Sequence, residues 1–148
     1  MRIPERFILL NDWVFFLTAL FGGAVVGSFI NLVIYRGPAM WGLVETDDSD
    51  SGDLIAPRSY CPACKTPIKA RDLIPVVSYV FLRARCRRCG ERISVRYPCV
   101  ELISGLAALV ALAAFGFTLA AALAATLFFF LIALAAIDFE TGYLPDAL

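Results

Sequence analysis

The 148-residue sequence is 60% hydrophobic with a mean hydropathy of +0.78, well above the range of a water-soluble domain. Its 13 Lys and Arg balance 13 Asp and Glu, so net charge points to neither an acidic nor a basic partner. The absence of histidine removes the usual general base and the usual nitrogen ligand for a metal, leaving acid–base chemistry to Asp, Glu, Lys, Tyr or Cys.

Residues 13–35 carry no charge, and these 23 residues, at about 1.5 Å each, are long enough to cross a hydrocarbon core of roughly 30 Å. The stretch is too long for the apolar segment of a cleaved signal peptide and has no A-x-A-like site before an obvious mature start, so a retained span is expected. Ser28 and Asn31 read as interhelical packing and hydrogen-bonding positions. Gly22, Gly23 and Gly27 read as positions that let a second helix approach closely.

Residues 36–98 form a polar loop in two parts. WGLVETDDSDSG, residues 41–52, is acidic and without periodicity, as expected of a mobile surface segment. Beyond it, Cys61-x-x-Cys64 and Cys86-x-x-Cys89 form two knuckles with 21 residues between the inner cysteines. Each CxxC turn aims two thiolates at one point, so the two pairs predict a tetrahedral four-cysteine zinc site in a ribbon with a short hairpin or helix inserted. Lys65, Arg87 and Arg88 would offset the thiolate charge. Four sulfurs leave no open position for a catalytic metal. The alternatives are two disulfides, disfavoured in a reducing compartment, or four inert buried cysteines. Cys99 falls outside the pattern and reads as a small buried hydrophobe.

The second apolar region, residues 102–137, has 36 residues without a charge, about 54 Å as a helix and therefore two spans. The break is expected at Phe115-Gly116-Phe117-Thr118. Three transmembrane helices follow, at 13–35, 99–115 and 118–137. Of the 13 basic residues, eleven lie between Arg36 and Arg96, which predicts a cytoplasmic loop and a periplasmic N-terminus. The dense run from Arg83 to Arg96 is explained by topology control and anionic headgroups, and no nucleic-acid partner is expected. Asp138 then ends the third span on the cytoplasmic side. The fold class predicted is an α-helical polytopic membrane protein, embedded in the lipid bilayer, with a small cytoplasmic zinc-ribbon-like insert.

Six stretches occur in a characteristic order: GSFINLVIYRGP (27–38), APRSYCPAC (56–64), ARDLIPVVSY (70–79), RCRRCG (85–90), SVRYPCVELISG (94–105) and AIDFETGYLPD (136–146). Together they resemble the type IV prepilin peptidases, the bifunctional leader peptidase/N-methyltransferases of bacterial type IV pilus and type II secretion systems. The resemblance implies a multi-pass aspartic protease of the bacterial inner membrane that cleaves the leader of prepilins or pseudopilins at the cytoplasmic face. It further implies N-methylation of the new N-terminus with S-adenosylmethionine; no GxGxxG motif is present, so this cofactor rests on the resemblance alone.

On this resemblance Asp138 matches the first catalytic aspartate, followed by the signature Leu144-Pro145-Asp146, in which Asp146 has the plainer role of a helix cap. Cys61, Cys64, Cys86 and Cys89 match the family's zinc knuckles, and Glu101 its YPxxE pattern. The second aspartate, in a Gly-x-Gly-Asp motif, has no counterpart; Ser51-Gly52-Asp53 only approximates it. A proteolytic dyad needs two carboxylates sharing a proton. The chain is therefore expected to be the N-terminal portion of a longer enzyme, with the missing C-terminal half supplying the second aspartate, or else a naturally shortened product. The domains expected are 1–35, the N-terminus and first span; 36–98, the zinc loop; and 99–148, the remaining spans and the start of the peptidase domain. The competing reading is a non-catalytic membrane module whose zinc ribbon docks a partner protein.

Overall fold

The computed structural model describes residues 12–42, 54 and 59–142. Three long helices carry the fold: α1 (Asp12–Met40), α3 (Arg96–Phe115) and α4 (Leu119–Thr141), with a short α2 (Val77–Phe81) in the insert between α1 and α3. Each of the three is long and apolar enough to cross a membrane.

The ends of the helices follow from local chemistry. α1 continues to Met40, five residues past the expected end, with Arg36 and Pro38 in its last turns. Arg36 is only 5% exposed, so its charge sits against protein and does not force the helix to stop. What stops it is Gly42 at φ +68°, while Trp41 folds back over Gly37, where a Cβ would lie 2.7 Å from the indole. α3 starts at Arg96, three residues earlier than expected: the Arg96 N–H donates to Ser94 Oγ at 3.2 Å, and Pro98 occupies the first turn, where a missing N–H costs nothing. The break falls at the expected residues. Gly116 takes φ +62°, and the Ala121 N–H donates to the capping Thr118 Oγ1 at 3.3 Å.

Packing inverts the water-soluble pattern. Large apolar residues point outward, with Leu17 61%, Leu123 62% and Leu127 59% exposed, while buried positions include Ala24, Ala111, Ala121 and Ala133. Lipid chains are as apolar as leucine, so helices associate through close packing of small residues rather than through hydrophobic burial. A Cβ on Gly23 would meet the Ser104 carbonyl at 2.6 Å, one on Gly27 the Glu101 Cα at 2.8 Å, and one on Gly105 the Leu20 carbonyl at 2.7 Å. α1 and α3 thus touch backbone to backbone. Gly22 differs from the expectation: nothing lies within 4 Å of its Cβ position, because it faces away from α3.

A cluster of Ile30 and Ile34 from α1, Val100 from α3, and Ala133 and Ile137 from α4 joins all three helices at the end that bears the insert. The insert contains a 3-10 turn, Ala70–Leu73, and α2. Its β content among the described residues is two isolated bridges, Tyr60 with Pro67 and Arg85 with Arg92. The ribbon is therefore two knuckles separated by short helical turns.

Candidate metal centre and adjoining cavity

The two knuckles are built on one plan. In the first, the Cys61 N–H donates to the Thr66 carbonyl at 3.0 Å and the Cys61 carbonyl accepts from the Lys65 N–H at 2.8 Å. In the second, the Cys86 N–H donates to the Glu91 carbonyl at 2.7 Å and the Cys86 carbonyl accepts from the Gly90 N–H at 3.0 Å. The offsets are identical, and each isolated bridge joins the residue before the first cysteine to the residue six beyond that cysteine. Closing the turn requires positive φ at the fifth position, met by Gly90 at +76° and by Lys65 at +51°.

All four sulfurs lie within 4.8 Å of one another, and Cys61 Sγ is 3.7 Å from Cys89 Sγ. A tetrahedron with metal–sulfur bonds of about 2.3 Å has edges of about 3.8 Å, so the spacing suits one Zn²⁺. A disulfide, at about 2.05 Å, does not fit it. The thiols are electrostatically unequal. Hydrogen bonds from the Thr66 side chain and backbone pull Cys64 down to about 6. Backbone hydrogen bonds from Cys89 and Arg88 lower Cys86. At Cys89 the Glu91 backbone pulls downward, but lost solvation and the three neighbouring thiols outweigh it and push the group up to about 12. A set of thiols that divides in this way is one that a divalent cation would unify by displacing the remaining protons.

A bidentate pair braces the second knuckle: Arg87 donates from Nε to Asp72 Oδ2 at 3.1 Å and from Nη2 to Oδ1 at 2.7 Å. The Arg87 guanidinium holds Asp72 below the usual carboxylate range. Arg87 therefore has a definite partner, beyond the general charge compensation that the sequence offered. Cys99, expected to be buried, is exposed. It lies away from the α3 face formed by Pro98, Val100, Glu101, Ser104 and Gly105, which packs inward.

Between the insert and the ends of α1 and α3 lies a cavity of about 1000 Å³, lined by Ser28, Asn31, Tyr35, Tyr79, Tyr97 and Glu101 among others. Glu101 is 7% exposed, and its Oε2 accepts the Val76 N–H at 2.7 Å. Val76 sits at φ 60°, ψ −47°, and the following N–H turns back to the Pro75 carbonyl. This is a γ-turn of the strained, positive-φ kind, rare for any residue and rarer for a β-branched one. The sequence carries no signal for it: Ile-Pro-Val-Val reads as extended, and only the carboxylate reaching up from a membrane helix explains the turn. Asn31 Nδ2 donates to the Tyr97 carbonyl at 3.0 Å, while its Oδ1 is buried without a partner.

Asp138 occupies the last turn of α4 and is exposed. Its carbonyl accepts the Gly142 N–H at 2.8 Å, with Gly142 at φ +68° closing the helix. Two residues on, Glu140 accepts from Arg96 at the start of α3. Asp138 is thus at the same end of the bundle as the four cysteines, as the sequence implied. The structure does not bring Asp138 to the cavity, whose acidic lining includes Glu101 and Glu140. Asp146, the Leu-Pro-Asp signature, Ser51-Gly52-Asp53 and the acidic stretch from residue 43 lie outside the described residues.

Three membrane-crossing helices with a tetrathiol knuckle pair at one end define a polytopic membrane protein with a four-cysteine metal-binding module. Residues 21–115 match the family described as Bacterial Peptidase A24 N-terminal domain, and the chain belongs to that family. It is 45% identical over 141 residues to a prepilin leader peptidase/N-methyltransferase of Burkholderia pseudomallei, covering 85% of this chain and 45% of the relative. A protein of the same name from Neisseria gonorrhoeae is 39% identical, with 85% and 49% covered. A type 4 prepilin-like proteins leader peptide-processing enzyme of Escherichia coli is 40% identical, with 86% and 50% covered. The chain spans about half the length of the curated relatives it matches. No solved structure matches it.

Proposed function

We propose that this chain supplies the membrane scaffold, the zinc module and one catalytic carboxylate of an enzyme that removes the leader from prepilins or pseudopilins at the cytoplasmic face of the bacterial inner membrane, then N-methylates the new N-terminus with S-adenosylmethionine. The observation that carries this reading is the meeting of the Asp138 turn and the four-thiol module at one end of the bundle, joined through Arg96 and Glu140. The names of the relatives support it. The eleven basic residues between Arg36 and Arg96 support a cytoplasmic location for that end.

Asp138 is the proposed member of an aspartic dyad. One carboxylate of such a pair must be ionised to take a proton from water while the other donates to the scissile carbonyl oxygen, which two acids sharing one proton achieve. The exposure of Asp138 suits a partner carboxylate from further helices packed on α4. Zinc at Cys61, Cys64, Cys86 and Cys89 fixes the insert and, with four sulfur ligands, leaves no position for substrate. The comparisons do not favour the alternative of a non-catalytic docking module.

The deciding experiment complements this chain with the C-terminal half of the Burkholderia relative and follows leader removal from a prepilin on a gel. Asp138→Asn keeps the shape but cannot hold or transfer the proton, and is expected to abolish cleavage with zinc content unchanged. Full cleavage by Asp138→Asn would mean that the catalytic carboxylate is another residue.

A further inference from the structure

The short helix α2 turns one face to the cavity and the other away from the protein. Ser78, Tyr79 and the following Leu82 line the cavity, whereas Val77, Val80 and Phe81, spaced i, i+3 and i+4, form the opposite face. Phe81 is 82% exposed and Val80 66%, and Leu73 and Ile74 in the preceding turn are exposed with them. The proteolytic assignment gives no role to these large apolar side chains, which lie outside the three spans. A contiguous apolar face of this kind marks an interaction surface.

The depth of α2 says what covers it. Val76, immediately before the helix, donates its N–H to Glu101 Oε2 at 2.7 Å. α3 has 20 residues, about 30 Å, which matches a hydrocarbon core with nothing to spare. Glu101 lies about 7.5 Å along the axis from the start of α3, and its side chain leans back toward that start. Val76 is therefore held at the boundary between headgroups and acyl chains. Tyr79 shares the cavity wall with Tyr35 of α1 and Tyr97 of α3, a residue type that settles at this boundary. The charge fits the same place. Residues 65–90 carry seven Lys and Arg against a single acid, Asp72, which Arg87 holds. Arg71 precedes the apolar face, and Arg83 and Arg85 follow it. Apolar side chains bracketed by basic ones suit an element lying in the plane of an anionic bilayer surface.

We propose that α2 is an interfacial membrane anchor: Leu73, Ile74, Val77, Val80 and Phe81 enter the edge of the acyl-chain region, and Arg71, Arg83 and Arg85 engage anionic headgroups. Positive φ at Val76 before the helix, and at Arg83 and Ala84 after it, supplies the sharp turns that let so short an element dip to this level and return. Together with the hydrogen bond to Glu101, the anchor holds the two knuckles close against the membrane surface, at the end of the bundle that bears Asp138. This role requires only that the three helices cross a bilayer, and it is independent of the proteolytic reading.

The test is photocrosslinking in nanodiscs of equal phosphatidylglycerol and phosphatidylcholine, with the chain alone and with the C-terminal half of the Burkholderia relative added. The probe, p-benzoylphenylalanine, is placed at Phe81 or at Val80, both too exposed for the change to disturb packing. The same probe at Leu127, exposed on α4, is the positive control in the chain alone. Both α2 positions are expected to give phospholipid adducts with and without the second half, phosphatidylglycerol outnumbering phosphatidylcholine about fivefold. Arg83→Ser combined with Arg85→Ser should bring that ratio toward one while adducts persist. An unchanged ratio overturns the headgroup contact. Adducts to the added half in place of lipid, or to a second copy of the chain, make the face a protein interface and overturn the anchor. Lipid adducts at Leu127 with none at Val80 or Phe81 place the face in water and overturn it as well. None of these outcomes bears on leader removal, so the peptidase reading stands or falls separately.

Discussion

At Gly27 a Cβ would come within 2.8 Å of the Glu101 Cα, whereas at Gly22 it would meet nothing within 4 Å, although both glycines lie on the same helix. Leucine at the two positions should therefore act with opposite sign. Gly27→Leu is expected to destabilise by about 1–3 kcal/mol through overpacking. Gly22→Leu should gain up to about 1 kcal/mol from the better helix former. Thermal unfolding in detergent separates them. Cys64 offers a second test at this scale. The Thr66 hydrogen bonds hold it at about 6, below its ordinary 9.0, so its contribution to stability is complete above 9.0 and is lost as the pH falls through about 6. In the zinc-free protein, alkylation of Cys64 by iodoacetamide should fall off as the pH drops through about 6, and Thr66→Val should move that fall to higher pH.

The elements are held in place by a few cross-links between their ends. Arg96, at the first turn of α3, reaches Glu140 in the last turn of α4, and its Nε is buried without a partner. This pair ties the α4 turn that carries Asp138 to the element that follows the second knuckle. Glu140→Ala leaves a half-buried guanidinium uncompensated, which costs about 1–3 kcal/mol. Glu140→Gln, which still accepts a hydrogen bond, should cost less. The expected readout is a lower unfolding temperature for Glu140→Ala, with zinc content unchanged because none of the four sulfurs is involved. Glu101 ties the insert to the membrane helices, its carboxylate on α3 accepting the Val76 N–H at the start of α2.

For the molecule as a whole, the metal module and the helical bundle draw on different sources of stability. The insert has no β ladder among its described residues, and no side chain of its 3-10 turn or of α2 is fully buried. Such a segment depends on its metal for folding free energy. Elemental analysis is expected to find one zinc per chain. Cys61→Ser or Cys86→Ser should release it and open the insert to proteolysis, while the helical circular dichroism of α1, α3 and α4 persists. Retention of a protease-resistant insert without zinc would refute the structural role of the metal. Cysteine labelling in intact cells should place residues 59–95 and Asp138 on the cytoplasmic side and Gly116 opposite.

Much of this architecture was legible in the chain because it rests on local quantities. Charge-free length sets the number of spans, a glycine between aromatics sets the turn at 116, and the CxxC spacing sets the four sulfurs, each of which depends on neighbours within a few residues. The ends of α1 and α4 were underestimated because hydropathy stops at the first charge, whereas Arg36 and Glu140 find cover and a partner in protein. Which glycines touch another helix, the outward turn of Cys99, and the grip of Glu101 on a strained Val76 were decided only by the tertiary structure. These depend on the rotation of α3 against α1 and on contacts between residues 25 or more positions apart, which no local pattern encodes.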